Sequence, residues 1–363
     1  MESLPTLRRY RRHLRATGRW LVRSVRPGGG SAAYYSPLAG WSRPYPETTG
    51  YLIPTLLRLG CEYPEDGGED AALRAGRWLL EIQRPEGAWS GGLHPPRGGG
   101  RPSVFNTGQV LDGMLALYRH TGDPRWLQAA ARGAGWLAAG MGADGLWAGG
   151  DYRAAGTPSY YAHVLWPMLE VWKETGDERL LGAARRGLDA VVARRAPNGV
   201  IRGWSFREGK PAVTHVIAYT LRGIQECARL LDAWDELGPA VAPALERLVR
   251  RSELAGGRLP GAFDDEWRAH GGYVCLTGNA QLALCILLWE EHEPDLRLVS
   301  AAARLVDAVC DTQRTGGPAG LRGGVAGSSP PWGGYMRLRY PNWAAKYLCD
   351  ALLRLEERVR AEL

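Results

Sequence analysis

Lysine is almost missing from this chain, three residues against forty-two arginines. A skew between two interchangeable cations reads as coding bias, so arginine abundance by itself identifies no partner. Phenylalanine is scarce as well, at three residues beside fifteen Trp and fifteen Tyr. The aromatic content therefore carries polar handles, and such rings serve either as buried packing or as platforms in a groove for sugars. The six cysteines, Cys61, Cys227, Cys275, Cys285, Cys310 and Cys349, form no CxxC pair and stand mostly in apolar helical surroundings. That excludes a zinc ribbon and suggests reduced core residues of a cytoplasmic protein. The seven histidines are scattered and no HExxH occurs, so no metal site is expected. No Walker A sequence and no GxGxxG after a strand is present, so no nucleotide cofactor is expected either. No apolar run is long enough to span a bilayer, and the N-terminal stretch lacks the apolar segment of a secretory signal. A cytoplasmic location is the expectation.

The net charge of +7 would suggest nucleic acid if it were spread over the chain. Residues 1–30 hold eight arginines and one acid, Glu2, which gives 8 − 1 = +7 and leaves the rest neutral. No nucleic-acid partner is expected. The segment RRYRRHLRATGRWLVRSVR offers a peripheral contact to an anionic membrane surface or polyanion. A solvated outer helix is the other reading.

What is present is a repeat. Tyr45-Pro46-Glu47-Thr48-Thr49-Gly50-Tyr51 marks a loop becoming a helix, and comparable junctions recur. They stand at Phe105-Asn106-Thr107-Gly108-Gln109, Ser159-Tyr160-Tyr161-Ala162-His163, Thr214-His215, Cys275-Leu276-Thr277-Gly278-Asn279 and Tyr340-Pro341-Asn342-Trp343. The steps are roughly 55 to 65 residues, in the range of a repeat architecture. Each junction opens an apolar helix, and a second, outer helix follows at 70–83, 125–139, 178–194, 239–251 and 296–311. The turns Thr121-Gly122-Asp123 and Thr175-Gly176-Asp177 repeat, and so does the spacing from Trp78 to Gly87 and from Trp136 to Gly145. The spacing predicts an all-α, (α/α)6 toroid of six helical hairpins. Residues 1–30 would be a basic helix of the outer ring, paired with the last hairpin, and 31–363 a single toroid domain. Loops rich in Gly, Pro and aromatics join the hairpins at 144–147, 198–204, 257–267 and 316–335.

Outer helices ending in Gln83-Arg84-Pro85-Glu86-Gly87-Ala88-Trp89 resemble the α/α toroids. That superfold includes six-hairpin glycosidases, glucuronyl C5-epimerases, polysaccharide lyases and terpene cyclases. The Gln-xxx-Gly-x-Trp pattern is similar to the structural QW repeat of squalene cyclases. The cyclase Asp-x-Asp-Asp motif is missing, and Phe263-Asp264-Asp265-Glu266-Trp267 does not match it. Glu47-Thr48-Thr49-Gly50-Tyr51 resembles the junction of glycoside hydrolase family 8, which implies Glu47 as general acid, without that family's second carboxylate motif. Gly108-Gln109-Val110 through Thr121-Gly122-Asp123 is similar to the C-terminal domain of the C5-epimerases. YPETTGY with THVIAYTLRG resembles an uncharacterised family encoded with polysaccharide-biosynthesis genes.

If inner helices aim their starting ends at one mouth, the junction residues converge there. Glu47 would donate a proton to a glycosidic oxygen, since a carboxyl enclosed by rings keeps its proton to higher pH. A plain capping role in the first turn is the alternative. A hydrolase needs a second carboxylate at roughly 5 to 9 Å, and Asp264 or Asp265 is the expected base or nucleophile, with Asp151 beside Tyr152 as a further choice. His163 and His215 would serve a uronate-directed lyase or C5-epimerase. Substrate contacts are expected from Tyr45, Trp89, Asn106, Gln109, Tyr160, Tyr219, Trp267, Asn279, Arg339, Tyr340 and Asn342, with Arg337 as a further carboxylate partner. The sequence thus leads to a glycoside hydrolase on an oligo- or polysaccharide, with a lyase or epimerase second and a non-catalytic glycan-binding toroid third.

Overall fold

The computed structural model describes residues 3–95, 100–148 and 157–361. Among the described residues, twelve α-helices alternate between two rings. The outer ring is α1 (Ser3–Ser24), α3 (Gly68–Ile82), α5 (Pro124–Ala139), α7 (Glu178–Val192), α9 (Trp234–Leu254) and α11 (Leu296–Cys310). The inner ring is α2 (Pro46–Glu62), α4 (Val104–Thr121), α6 (Ala162–Thr175), α8 (Thr214–Leu231), α10 (Leu276–His292) and α12 (Asn342–Ala361). Successive inner helices pack on each other, α12 returns to α2, and α1 lies on α12. The architecture is the (α/α)6 toroid that the repeat predicts. The described part of the segment expected as a helix at 239–251 starts earlier, at Trp234, because Pro239 and Pro243 sit inside α9 rather than ending it.

The amphipathic pattern explains the two layers. α10 is buried over nearly its whole length and is apolar on every side, as a helix with neighbours all round must be. α7 buries one stripe, Leu180, Ala183, Ala184, Gly187, Leu188 and Val191, and presents its arginines to solvent. The basic α1 behaves as an outer helix of this kind. Tyr10, Leu14, Trp20 and Leu21 enter the core. Several of its arginines are engaged in ion pairs: Arg9 with Asp307 and Asp311, Arg11 with Glu356, and Arg15 and Arg19 with Asp66.

A glycine in each inter-hairpin turn locks one outer helix to the next. Gly87 stands where an added Cβ would lie 2.5 Å from the Arg132 carbonyl oxygen of α5, and Gly145 2.2 Å from that of Arg186 in α7. The series closes at Gly323, which abuts the Ala16 carbonyl of α1. The same contact that links neighbouring hairpins thus joins the last to the first.

Short strands line the loops at the starting ends of the inner helices. β1 (Tyr34–Ser36) and β2 (Gly40–Trp41) form a hairpin; β3 (Ala212–Val213), β4 (Ala262–Phe263) and β5 (Ala269–His270) form a second sheet; β6 (Val274–Cys275) pairs with β7 (Ser328–Ser329), and β8 (Tyr340–Pro341) pairs with β1. No helix among the described residues is long and apolar enough to cross a membrane.

Candidate active site

The starting ends of α2, α4, α8 and α12 converge on one cavity of about 420 Å³, lined by Tyr45, Glu47, Phe105, Tyr160, Phe206, Arg207, His215, Tyr219, Tyr335, Met336 and Trp343. Five of the residues expected from sequence therefore meet there: Tyr45, Glu47, Tyr160, His215 and Tyr219. Glu47 lies in the first turn of α2 and is 7% exposed, on the wall of a cavity that is otherwise mostly aromatic. It is the one carboxylate among the described lining residues.

His215 begins α8, with its ring 4.4 Å from Tyr219 and 5.4 Å from Tyr335. Its Nδ1 donates to Gln281 Oε1 at 2.6 Å. In the neutral imidazole that leaves Nε2 with the lone pair. Burial pushes the His215 pKa down to about 4, against the partial support of the Gln281 hydrogen bond, so the ring is neutral at physiological pH. His163 repeats the arrangement one step behind the cavity wall: its Nδ1 donates to Gln109 Oε1 at 3.0 Å, and Gln109 Nε2 donates back to the His163 carbonyl. The His163 ring packs 4.6 Å from Tyr219, its Nε2 is buried without a hydrogen bond, and burial holds its pKa well below the usual histidine range.

Tyr219 is the floor of the site. Phe105 of α4 meets it edge-on at 5.3 Å and Tyr347 of α12 at 6.1 Å. Burial, followed by the neighbouring Tyr347, Tyr51 and Glu47, raises its phenol far above the usual range, so it stays protonated. Beneath the aromatic layer the axis holds charges in pairs: Lys346 with Asp350 at 2.7 Å, steadied by Thr55 Oγ1 donating to Asp350 at 2.7 Å, and Arg222 with Glu226 at 3.3 Å. Asp112 of α4 adds a carboxyl that burial raises to about 6.

Other residues expected to contact substrate belong to the framework. Trp89 is fully buried and its indole N–H donates to the Leu79 carbonyl at 2.8 Å; Trp147 does the same to Leu137 one hairpin later. Gln83 Nε2 bonds Gly87 and Ala129 carbonyls, so the Gln-xxx-Gly-x-Trp pattern is a helix-end clamp. Asn106, Asn279 and Asn342 are buried; the first two tie inner-helix starts to the preceding loops, through the Ser90 and Gly257 carbonyls, and Asn342 ties the start of α12 to the Ser31 hydroxyl and to the Thr48 hydroxyl in the first turn of α2. Trp267 is buried at positive φ, with its N–H on the Asn198 carbonyl. Tyr340 is a half-buried strand residue, Arg337 is exposed, and Arg339 is exposed and lies over the Tyr34 ring.

The structure also separates Asp264 and Asp265 from Glu47. Both stand in the turn between β4 and β5 and line a different cavity, of about 540 Å³, with Arg202, Glu208, Arg268 and His270. Asp264 is consumed by that turn. His270 and Arg268 bond its carboxylate, the backbone N–H groups of Arg268 and Glu266 donate to it, and together they hold it well below the usual carboxylate range. Asp151 and Tyr152 lie outside the described residues.

Sequence reasoning missed Phe105, Phe206, Arg207, Tyr335, Met336 and Trp343 as cavity residues. Trp343 follows Asn342 at a recognised junction and Tyr335 ends an aromatic loop, so both carried a signal. Phe206 and Arg207 sit in an irregular loop without one.

No family model matches the chain, and no curated protein matches its sequence. Solved structures do. An unsaturated glucuronyl hydrolase specific for heparin superposes with a TM-score of 0.76 at 16% identity, covering 97% of this chain and 98% of that one. The cellobiose 2-epimerase of Spirochaeta thermophila gives 0.74 at 17% identity, covering 99% and 98%. An α-amylase from Clostridium perfringens gives 0.68 at 11% identity, covering 94% and 97%. At these identities the likeness establishes that the chain has the toroid fold those enzymes share.

Proposed function

We propose that this chain is a carbohydrate-active enzyme, a glycoside hydrolase that cleaves an oligo- or polysaccharide in the mouth cavity with Glu47 as general acid. The observation that carries the reading is the position of Glu47: a buried carboxyl on the wall of a cavity at the mouth whose remaining surface is largely aromatic. Pyranose rings present apolar faces that stack on such surfaces, and a carboxyl beside them reaches the glycosidic oxygen. Asp264 and Asp265 do not line this cavity, so the water-activating base falls to His215, whose Nε2 lone pair is set by the Nδ1 bond to Gln281. The oligosaccharide enzymes of the same fold support a sugar substrate. We place the reaction in the cytoplasm, in keeping with six cysteines that are all free.

One observation favours a second reading. His215, Tyr219 and Arg207 share the wall with Glu47. That set suits an epimerase or a uronate-directed lyase, in which His215 takes a proton from carbon and Arg207 neutralises a carboxylate. Products decide. Hydrolysis creates a reducing end, elimination creates an unsaturated sugar that absorbs in the ultraviolet, and epimerisation changes neither. A glycan-binding toroid gives no product. Glu47→Gln is expected to lower turnover by about 10² to 10⁴-fold with an unchanged melting temperature; near-normal turnover removes Glu47 from the mechanism.

A further inference from the structure

The rim of the cavity carries apolar side chains that nothing in the catalytic reading uses. Leu38 is 92% exposed, Trp332 64% and Leu338 46%. Leu38 caps the β1–β2 hairpin in the tip Pro37-Leu38-Ala39, which is apolar throughout. β1 runs antiparallel to β8 with Tyr35 opposite Tyr340, and Leu338, at φ +53, stands in the turn that leads into β8. The Leu338 amide donates to the Pro331 carbonyl at 2.8 Å, so Leu338 stands beside Trp332. The β1–β2 hairpin and the turn before β8 thus form one lip, with Leu38 on the first and Trp332 and Leu338 on the second.

The lip is also basic. Segments 34–45 and 328–341 hold Arg43, Arg337 and Arg339, all exposed, and no Asp or Glu. The second segment has two faces: Tyr335 and Met336 line the cavity, while Trp332, Arg337, Leu338 and Arg339 face solvent. Trp and Leu inserted at headgroup depth, ringed by arginines that meet anionic headgroups, is the composition of an interfacial anchor.

We propose that the lip docks the mouth of the toroid on an anionic lipid surface, and, resting on the sugar-acting reading above, that the substrate is a glycan carried on a lipid. The membrane contact suggested by the basic N-terminal segment then belongs to the mouth rather than to α1, several of whose arginines are committed to ion pairs. Docking at the mouth brings the headgroup sugar to the cavity while the lipid chain stays in the bilayer.

The test is co-sedimentation of the full chain with mixed phosphatidylcholine and phosphatidylglycerol vesicles and with pure phosphatidylcholine vesicles. Binding is expected to the mixed vesicles. Leu38→Ser/Trp332→Ser/Leu338→Asn should weaken it about tenfold or more, Arg337→Gln/Arg339→Gln should abolish the preference for anionic lipid, and Arg12→Gln/Arg322→Gln on the α1 side should leave it unchanged. No vesicle binding by the parent chain, undiminished binding by the triple variant, or loss in the α1 variant would each overturn the docking. Glu47→Gln should bind vesicles like the parent, so this arm stands or falls apart from the catalytic reading. For any glycan that is turned over, placing it on a lipid anchor in mixed vesicles should raise kcat/KM, and the triple variant should lose that gain while keeping the soluble-substrate value. Equal rates on anchored and free glycan would exclude the lipid-linked substrate.

Discussion

A histidine buried among aromatic rings, such as His215, matters through the protons it refuses. Its folded pKa of about 4 lies below the ordinary 6.5, so between these values the unfolded chain binds more protons than the folded one. Stability therefore rises with pH across that window and is lost as pH falls from 6.5 toward 4; the full effect is on the order of 3 kcal/mol. His163 adds in the same direction. His215→Gln should flatten the dependence of urea midpoint on pH between these limits and abolish turnover; an unchanged slope would show that other groups dominate acid unfolding. Asp264 makes the opposite point. Its carboxylate is spent on His270, Arg268 and two backbone amides, so Asp264→Asn should loosen the β4–β5 turn and lower the melting temperature while leaving turnover intact. A collapse of turnover with an intact fold would return Asp264 to the mechanism. Sequence inspection ranked this acid with Glu47 because an Asp-Asp-Glu run between aromatics looks the same whether it faces a cleft or closes a turn.

Helices and turns were more readable than single side chains, because each hairpin repeats the same local problem. An outer helix must end, the chain must turn back, and the next inner helix must start with its first amides satisfied. Trp89 and Trp147 solve the ending with an indole N–H on a helix-end carbonyl, while Asn106, Asn279 and Asn342 brace the restart. Those residues drew attention in the sequence because the repeat preserves them, and preservation within a repeat signals construction as readily as chemistry. The turn glycines belong to the same class. Gly323 has φ +89 and would place a Cβ 1.9 Å from the Ala16 carbonyl, a clash with backbone that no rotamer relieves. Gly323→Ala should cost about 3 kcal/mol or more of stability, measured by urea unfolding, whereas Gly122→Ala, with the left-handed φ but open space, should cost less. Equal costs would mean that backbone strain and not the inter-helix contact sets the penalty.

For the whole molecule, closure is the feature that makes a ring from a row of hairpins. α1 packs on α12, its Tyr10, Leu14, Trp20 and Leu21 are buried in the core, and Gly323 reaches back to Ala16. Removing residues 1–26 should therefore uncover the last hairpin and replace one cooperative urea transition with a broadened one of lower midpoint, followed by circular dichroism; a transition as sharp as the parent's would show that α1 is an appendage. The fold class was legible because a period of amphipathic helices, capped turns and aromatic loops is written locally, residue by residue, in a code of 3.6-residue spacing and turn chemistry. The same periodicity told which helix ends belong to one family, and hence that Glu47 and His215 begin equivalent helices. It could not tell which loop side chains fold over the mouth, whether Asp264 faces in or out, or that the hairpin carrying Leu38 pairs with the strand after Trp332. Those choices depend on strand pairings and ring packing between residues as far apart as Tyr35 and Tyr340, and contacts across such separations exist only once the ring has closed.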